Sequence, residues 1–440
     1  MTLIGEERAQ TDIAHRKDVR RVVLSGYLGS TIEFYDFILY ATASSVVFGP
    51  VFFDGLDPTV ALIASYATFA TGYVSRPLGG ILFGHFGDRV GRKKMLILSM
   101  IVMGVVSFLI GLVPAIPTWG ALMLILLRAV QGIAIGGEWG GSALMALEHA
   151  KGKHRGFAAA FANAGGPTGA LLGTVALSLA AMLPREDFLS WGWRIPFLFS
   201  AVLLLVGLFV RKRVSESPLF EEALQAQEEK KSTRQPIPLF AILRRPKNLL
   251  LAGLVVTAGF VIQALFSTFG VNYAVSHGVT ESEGLRAFAV SQFFSIFAML
   301  GAAWLSDRHG RKKIMLAGLV GMIVLTYPVF SLVGSGNAML VIVGFVLALS
   351  LCQALTFGPM AAFVSEQFGT TSRYTGASLG YQIGSLLGAG FTPVIVASLA
   401  AAAGGAVTYV MLFLVAMCLL SLGALYFVKE TKDYDLAQTN

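Results

Sequence analysis

The chain has 440 residues, 55% of them hydrophobic and only 13% charged, with a formal net charge of +8. Soluble domains carry about 25% charged residues, so a soluble enzyme is excluded and a polytopic membrane protein is expected. The basic excess does not point to nucleic acid, because the charges sit in short loops between apolar runs. Cys352 and Cys418 lie in separate apolar runs, which leaves neither a disulfide framework nor a metal site.

Residues 1–21 are polar and mixed in charge; they read as a cytoplasmic tail with no cleavable signal. A bilayer crossing needs about 20 apolar residues. Six runs of that kind follow, at 22–49, 58–83, 95–114, 119–146, 156–183 and 192–210, and make an N-terminal bundle over 22–210. A charged stretch at 211–248, containing Pro236-Ile237-Pro238, reads as a cytoplasmic linker. Six more runs, at 249–275, 287–306, 314–334, 337–362, 374–401 and 407–428, make a C-terminal bundle over 249–428, and 429–440 is a cytoplasmic tail. The expected fold is an all-α membrane protein of twelve transmembrane helices in two pseudo-symmetric six-helix bundles. Helices are required because lipid offers backbone polar groups no partner. Arg185 and Arg286 alone among the loop arginines and lysines fall on one side of this arrangement. Basic residues collect on the cytoplasmic side, so both termini are expected there.

The two halves repeat. Phe86-Gly87-Asp88-Arg89-Val90-Gly91-Arg92-Lys93-Lys94 returns as Leu305-Ser306-Asp307-Arg308-His309-Gly310-Arg311-Lys312-Lys313. Glu148, followed by Arg155, returns at nearly the same offset as Glu366, followed by Arg373. Parallel repeats about an axis along the membrane normal make a two-bundle transporter with its site between the halves.

The paired Gly-Asp-Arg-X-Gly-Arg-Lys-Lys loops resemble the signature of the major facilitator superfamily. Four further stretches resemble its metabolite:proton symporter family: Ile32-Glu33-Phe34-Tyr35-Asp36-Phe37, Arg76-Pro77-Leu78-Gly79-Gly80, Gly136-Gly137-Glu138-Trp139-Gly140-Gly141 and Trp191-Gly192-Trp193-Arg194-Ile195-Pro196-Phe197. Phe34 stands where that family usually has Trp, and Ser306 replaces a Gly of the second loop. The resemblance implies proton-coupled uptake of shikimate, di- or tricarboxylates, other organic acids, or proline and betaine.

Charge at mid-bilayer costs at least a few kcal/mol, so such groups normally face a cavity and serve a function. Glu33, Asp36, Arg76, Arg128, Glu138 and Arg194 all fall in the N-terminal half. The C-terminal half supplies neutral donors and acceptors, with Gln263, Gln353, Tyr381 and Gln382 expected against substrate. Glu33 and Asp36, three apart, share one helical face, where two carboxylates in a low dielectric do not both ionise cheaply. Asp36 and Glu138 are expected to carry protons, with Glu33 in a lesser role and Arg128 tuning them. A static ion pair between helices is the structural alternative, and Arg128 is expected to pair with Asp36 or Glu138. An arginine holds its charge, so it cannot carry protons but can grip a carboxylate bidentately. Arg76, about 13 Å inside the bilayer from the basic loop, is the first candidate for an anionic substrate. Arg194 either shares that role or pairs at the interface with Glu186 or Asp187.

Asp88, Arg92 and Glu148, and their counterparts Asp307, Arg311 and Glu366, are expected to latch the cytoplasmic side. No Gly-Lys-Ser/Thr phosphate loop is present, so the drive is the proton gradient and no cofactor is expected. The reading is a monomeric importer of a small organic anion in the bacterial inner membrane. A zwitterion importer, using Arg76 for the substrate's carboxylate and Phe34, Tyr35 or Tyr40 for its cation, is the alternative, with an exporter on the same scaffold behind it.

Overall fold

The computed structural model is almost wholly helical and describes residues 2–90, 92–116, 118–149, 155–212, 246–368 and 373–432. Side chains of residues 2–20, and of several residues beside the loops, lie outside the described part.

The first bundle contains α1 (Thr2–Val46), α2 (Pro58–Val90), α3 (Arg92–Gly111), α4 (Trp119–Gly136, resuming after Gly137 as Glu138–His149), α5 (Arg155–Ala180) and α6 (Arg194–Lys212). The second contains α7 (Pro246–Ser276), α8 (Glu281–His309), α9 (Arg311–Val333), α10 (Ala338–Glu366), α11 (Thr375–Ala402) and α12 (Thr408–Phe427). Among the described residues ten of these are long and apolar enough to span a bilayer. The other two, α2 and α5, are interrupted by Gly, Ser, Thr and Pro, which lowers their hydropathy without breaking the helix. Together they form the expected twelve.

Within the first bundle α1 packs on α5, α2 on α4 and α3 on α6; in the second, α7 packs on α11 and α12, and α9 on α12. The bundles meet along α5–α8 and α2–α11. The expected boundaries shift in two places. Residues 2–21 of the expected 1–21 tail are continuous with α1 instead of forming a separate tail. Helix α6 runs on to Lys212 and α7 starts at Pro246, so both ends of the expected 211–248 linker are helical; 213–245 lies outside the described residues. Burial of Arg211 inside the first bundle accounts for the longer α6.

Glycine sets how closely α2 and α4 approach. A Cβ on Gly79 would collide with the Ile133 carbonyl, one on Gly132 with the Gly72 carbonyl, and one on Gly136 with the Arg76 carbonyl. Small residues permit this backbone-to-backbone contact in membranes. In the second bundle, α7, α10 and α11 each contain a widened π-type turn, at Phe266–Gly270, Val346–Gln353 and Leu386–Gly390. Such turns recur at functional sites, because they displace the helix surface by a fraction of a turn.

Candidate functional site

A contracted chamber lies between the bundles. The first contributes Phe34, Tyr73, Arg76, Trp139 and Asn163; the second contributes Phe260, Gln263, Gln353, Phe357 and Tyr381. Its free space is about 20 Å³, room for roughly one water molecule. Arg76 is buried, with its guanidinium carbon 4.2 Å from the Phe37 ring centroid and 4.4 Å from that of Tyr73. Its Nε has no hydrogen-bond partner. Rings on its faces stabilise the cation without consuming its donors, so N–H groups remain for an incoming carboxylate. Opposite, Gln353 Nε2 donates to Gln263 Oε1 at 2.8 Å, a neutral amide pair at the chamber wall.

The chamber is drawn shut by contacts across the bundles. Trp139 stacks on Tyr381 with centroids 3.9 Å apart and planes 16° from parallel. Trp139 Nε1 donates to Asn163 Oδ1 at 3.2 Å, and Asn163 Nδ2 donates to the Phe357 carbonyl at 2.9 Å. Gln382, expected against substrate, instead donates from Nε2 to the Gly136 carbonyl at 3.1 Å, where α4 is broken.

The carboxylates sit behind this wall, in the first bundle. Asp36 is buried; Ser200 Oγ donates to its Oδ1, while its Oδ2 has no partner. Glu33 is buried with Oε1 unpartnered, and Glu138, Arg76 and Arg211 are its charged neighbours. The expected pairing of Arg128 with Asp36 or Glu138 does not occur. Arg128 lies flat between aromatic rings, 3.9 Å from the Phe37 centroid and 4.2 Å from that of Tyr40, and donates to Gln131 Oε1. Gln131 Nε2 passes the bond on to Ser107 Oγ at 2.7 Å. Glu138 is bound instead by Arg211, whose other terminal nitrogen donates to the Leu96 carbonyl at 2.8 Å.

Three further expectations are corrected. Arg194 lines no described cavity and pairs with neither Glu186 nor Asp187. It bonds the Gly111 and Val113 carbonyls at the end of α3, which lack helical partners, and covers Trp193. The Tyr35 hydroxyl donates to the Pro196 carbonyl at 2.7 Å and that of Tyr40 to Thr68 Oγ1 at 2.8 Å, so both work inside the first bundle, outside the chamber wall.

At the end of the molecule that carries the repeated basic loops, the bundles are tied together. Arg311 pairs with Asp307 at 2.6 Å and with Glu366 at 3.4 Å, and Arg155 of the first bundle reaches Glu366 at 2.9 Å. Asp307 also accepts from the Gly156 and Phe157 amides, at 3.1 and 2.9 Å. These are free donors at the start of α5, and the helix dipole favours an anion there. The counterpart side chains of Asp88, Arg92 and Glu148 lie outside the described residues. The opposite end opens into a vestibule of about 750 Å³, with the Arg185–Glu281 ion pair (2.6 Å) at its wall.

Sequence reasoning missed Tyr73, Trp139, Asn163 and Arg211. Trp139 stands inside a quoted Gly-rich motif, and Asn163 is the one amide in the fifth run. Arg211 directly follows the sixth run and looked like a loop charge.

Comparison with known proteins agrees with this architecture. The family model described as Major Facilitator Superfamily matches residues 28–378 and 274–437. The chain is 40% identical to the inner membrane metabolite transport protein YhjE of Escherichia coli (strain K12), covering 99% of each chain. It is 35% identical to the shikimate transporter of the same strain over 94% of this chain and 95% of that one. Identity to the proline/betaine transporter of Salmonella typhimurium is 31%, over 86% and 77%. Among solved structures, the proton:xylose symporter XylE bound to 6-bromo-6-deoxy-D-glucose superposes with a TM-score of 0.79 at 16% identity, covering 96% of this chain and 98% of that one; at that identity the likeness concerns the fold.

Proposed function

The chain belongs to the Major Facilitator Superfamily and is a multi-pass membrane transporter, not an enzyme; from that premise we propose that it imports a small organic anion together with protons by alternating access. The observation that carries the reading is Arg76, a buried cation with an unsatisfied donor at the wall of the inter-bundle chamber. Asp36 and Glu33 supply protonatable oxygens close behind it, on the helix that also provides the Phe37 ring beneath Arg76. The face with the basic loops is cytoplasmic, so the vestibule faces outward and the ion-pair ties hold the inner side closed.

In this scheme the anion descends from the vestibule and binds Arg76, and Asp36 takes up a proton. The anion pairs with Arg76 and the proton neutralises Asp36, so neither the substrate carboxylate nor Asp36 stays uncompensated in the closed chamber. The bundles then rock, the ties at the inner face break, and both ligands leave inward. A monoanion moving with one proton carries no net charge and draws only on the pH gradient, about 1.4 kcal/mol per unit, which sustains a gradient of roughly tenfold. A second proton would add its own pH share and about 2.3 kcal/mol per 100 mV.

Relatives that carry metabolites, shikimate, and proline or betaine support a small polar cargo. A zwitterion is the second reading, favoured by the aromatic rings of the chamber, which suit a quaternary ammonium. Proteoliposomes loaded with a pH-sensitive dye decide between them. Internal acidification on adding an organic acid, and its loss in Asp36→Asn, is the expected result; acidification with betaine or proline alone selects the zwitterion; tracer uptake without any pH change overturns proton coupling.

A further inference from the structure

We propose that the Trp139–Tyr381 stack is a place-holder for the substrate, and that the chamber selects a monocarboxylate carrying one flat or nearly flat ring. The inference rests on the reading above that the cargo is an organic anion gripped by Arg76.

The first observation is the state of the chamber. With about 20 Å³ free, no metabolite fits unless two of the opposed surfaces part. The stack is the face-to-face contact between bundles at this wall, with α4 supplying Trp139 and α11 supplying Tyr381. The two rings are not equally held. Trp139 is fixed through its indole N–H to Asn163, which is itself bonded to the Phe357 carbonyl of α10. Tyr381 rests edge-on against Phe260, with centroids 5.0 Å apart, and precedes the widened turn Leu386–Gly390. Tyr381 is therefore the ring that withdraws when the bundles separate. A flat ring entering the gap recovers on Trp139 the contact that Tyr381 gives up, whereas an acyclic or puckered body does not.

Charge at the wall supplies the second observation. Among the described residues Arg76 is the one ionic side chain that lines the chamber, whose wall otherwise presents aromatic rings, methionines, small or aliphatic groups and the amides Asn163, Gln263 and Gln353. One cation matches one carboxylate; a tricarboxylate would bring two or more charges into the chamber with no partner there. Among the described residues no lining carboxylate awaits a substrate ammonium, and Arg76 and Arg128 oppose one. The amides suit hydroxyl groups on the ring.

The test compares poorly permeant probes in proteoliposomes of the full chain: shikimate and protocatechuate (flat or half-flat rings), quinate (the same groups on a puckered ring), gluconate, α-ketoglutarate and citrate. Wild type is expected to take up the flat-ring acids roughly tenfold faster than quinate or gluconate at subsaturating concentration. Trp139→Leu should reduce that ratio to about threefold or less, and Trp139→Phe, which keeps a ring, should retain it. Tyr381→Leu lowers the cost of parting the rings for every probe, so it should speed them all and leave the ratio unchanged. Preference for α-ketoglutarate or citrate, a ratio unaltered in Trp139→Leu, or no faster uptake in Tyr381→Leu overturns the place-holder role while leaving organic-anion symport standing. If none of the acids is taken up or acidifies the lumen, the symport reading itself falls.

Discussion

Arg211 and Glu138, 73 positions apart, meet as a buried ion pair where the last turn of α6 crosses the break in α4. Ser99 and the Leu96 carbonyl complete the cluster, and Gly29 of α1 leaves the space the guanidinium occupies. Removing one partner of such a pair strands the other charge and costs about 3–5 kcal/mol, whereas replacing both by apolar groups is often near neutral. Arg211→Leu is therefore expected to lower the melting temperature in detergent by several degrees, and Arg211→Leu with Glu138→Leu to recover most of it. A double variant no more stable than the single one would show that the pair is not the source of the loss.

Asp36 differs from Glu138 in facing no arginine at bonding distance. In Asp36→Asn, proton-driven accumulation should fall to the level of equilibration, while counterflow exchange of labelled substrate persists at a reduced rate. Ser200→Ala removes a single hydrogen bond, about 1 kcal/mol, and should leave accumulation within several-fold of wild type. Both are read from tracer uptake with and without an imposed pH gradient.

Arg76 has a planar cation clamped between rings, a setting in which lysine is a poor substitute. Arg76→Lys should raise the half-saturating substrate concentration by roughly tenfold or more, and Arg76→Gln should abolish saturable uptake. Equal affinity in Arg76→Lys would move the anion site elsewhere. Arg194→Gln, by contrast, should lower thermal stability through two uncapped carbonyls while altering substrate affinity little.

On the proposed cycle, the ties at the basic-loop face set how long that side stays closed. Arg155→Gln removes a charge-assisted bond to Glu366 and should shift the resting population toward an inward-open form by about tenfold. A cysteine introduced at Ala159, which is buried on α5, would then label faster with a membrane-impermeant thiol reagent applied from the cytoplasmic side. Unchanged labelling would mean that Arg155 does not restrain opening.

The twelve crossings and the duplication were legible in the sequence because hydropathy, loop charge and motif spacing are properties of the chain alone. So was the restriction of charge in the middle of the apolar runs to the first half; Arg311 and Glu366 of the second half are buried too, but at the basic-loop end. Partner choice was not. Whether Arg128 meets Asp36 or the rings of Phe37 and Tyr40 depends on the rotation of α4 against α1, which no periodicity states. Arg211 was hidden differently: a basic residue at the end of a run ordinarily marks the water boundary, and only the three-dimensional meeting with Glu138 shows that the helix carries it inside. Arg194 likewise stood in a motif near charged neighbours, yet it answers the unsatisfied carbonyls of α3.

The glycine contacts between α2 and α4 bear on how the machine moves. Backbones in direct touch at Gly79, Gly132 and Gly136 cannot slide past one another without collision. Arg76 on one helix and Arg128 on the other are consequently mounted on a single plate, and their spacing is expected to hold whichever way the transporter faces. Cargo and proton would then be exchanged by changes around that plate, among them movements of the second bundle with its widened turns. A transporter made this way keeps its electrostatic ruler constant through the cycle and varies only what is held against it.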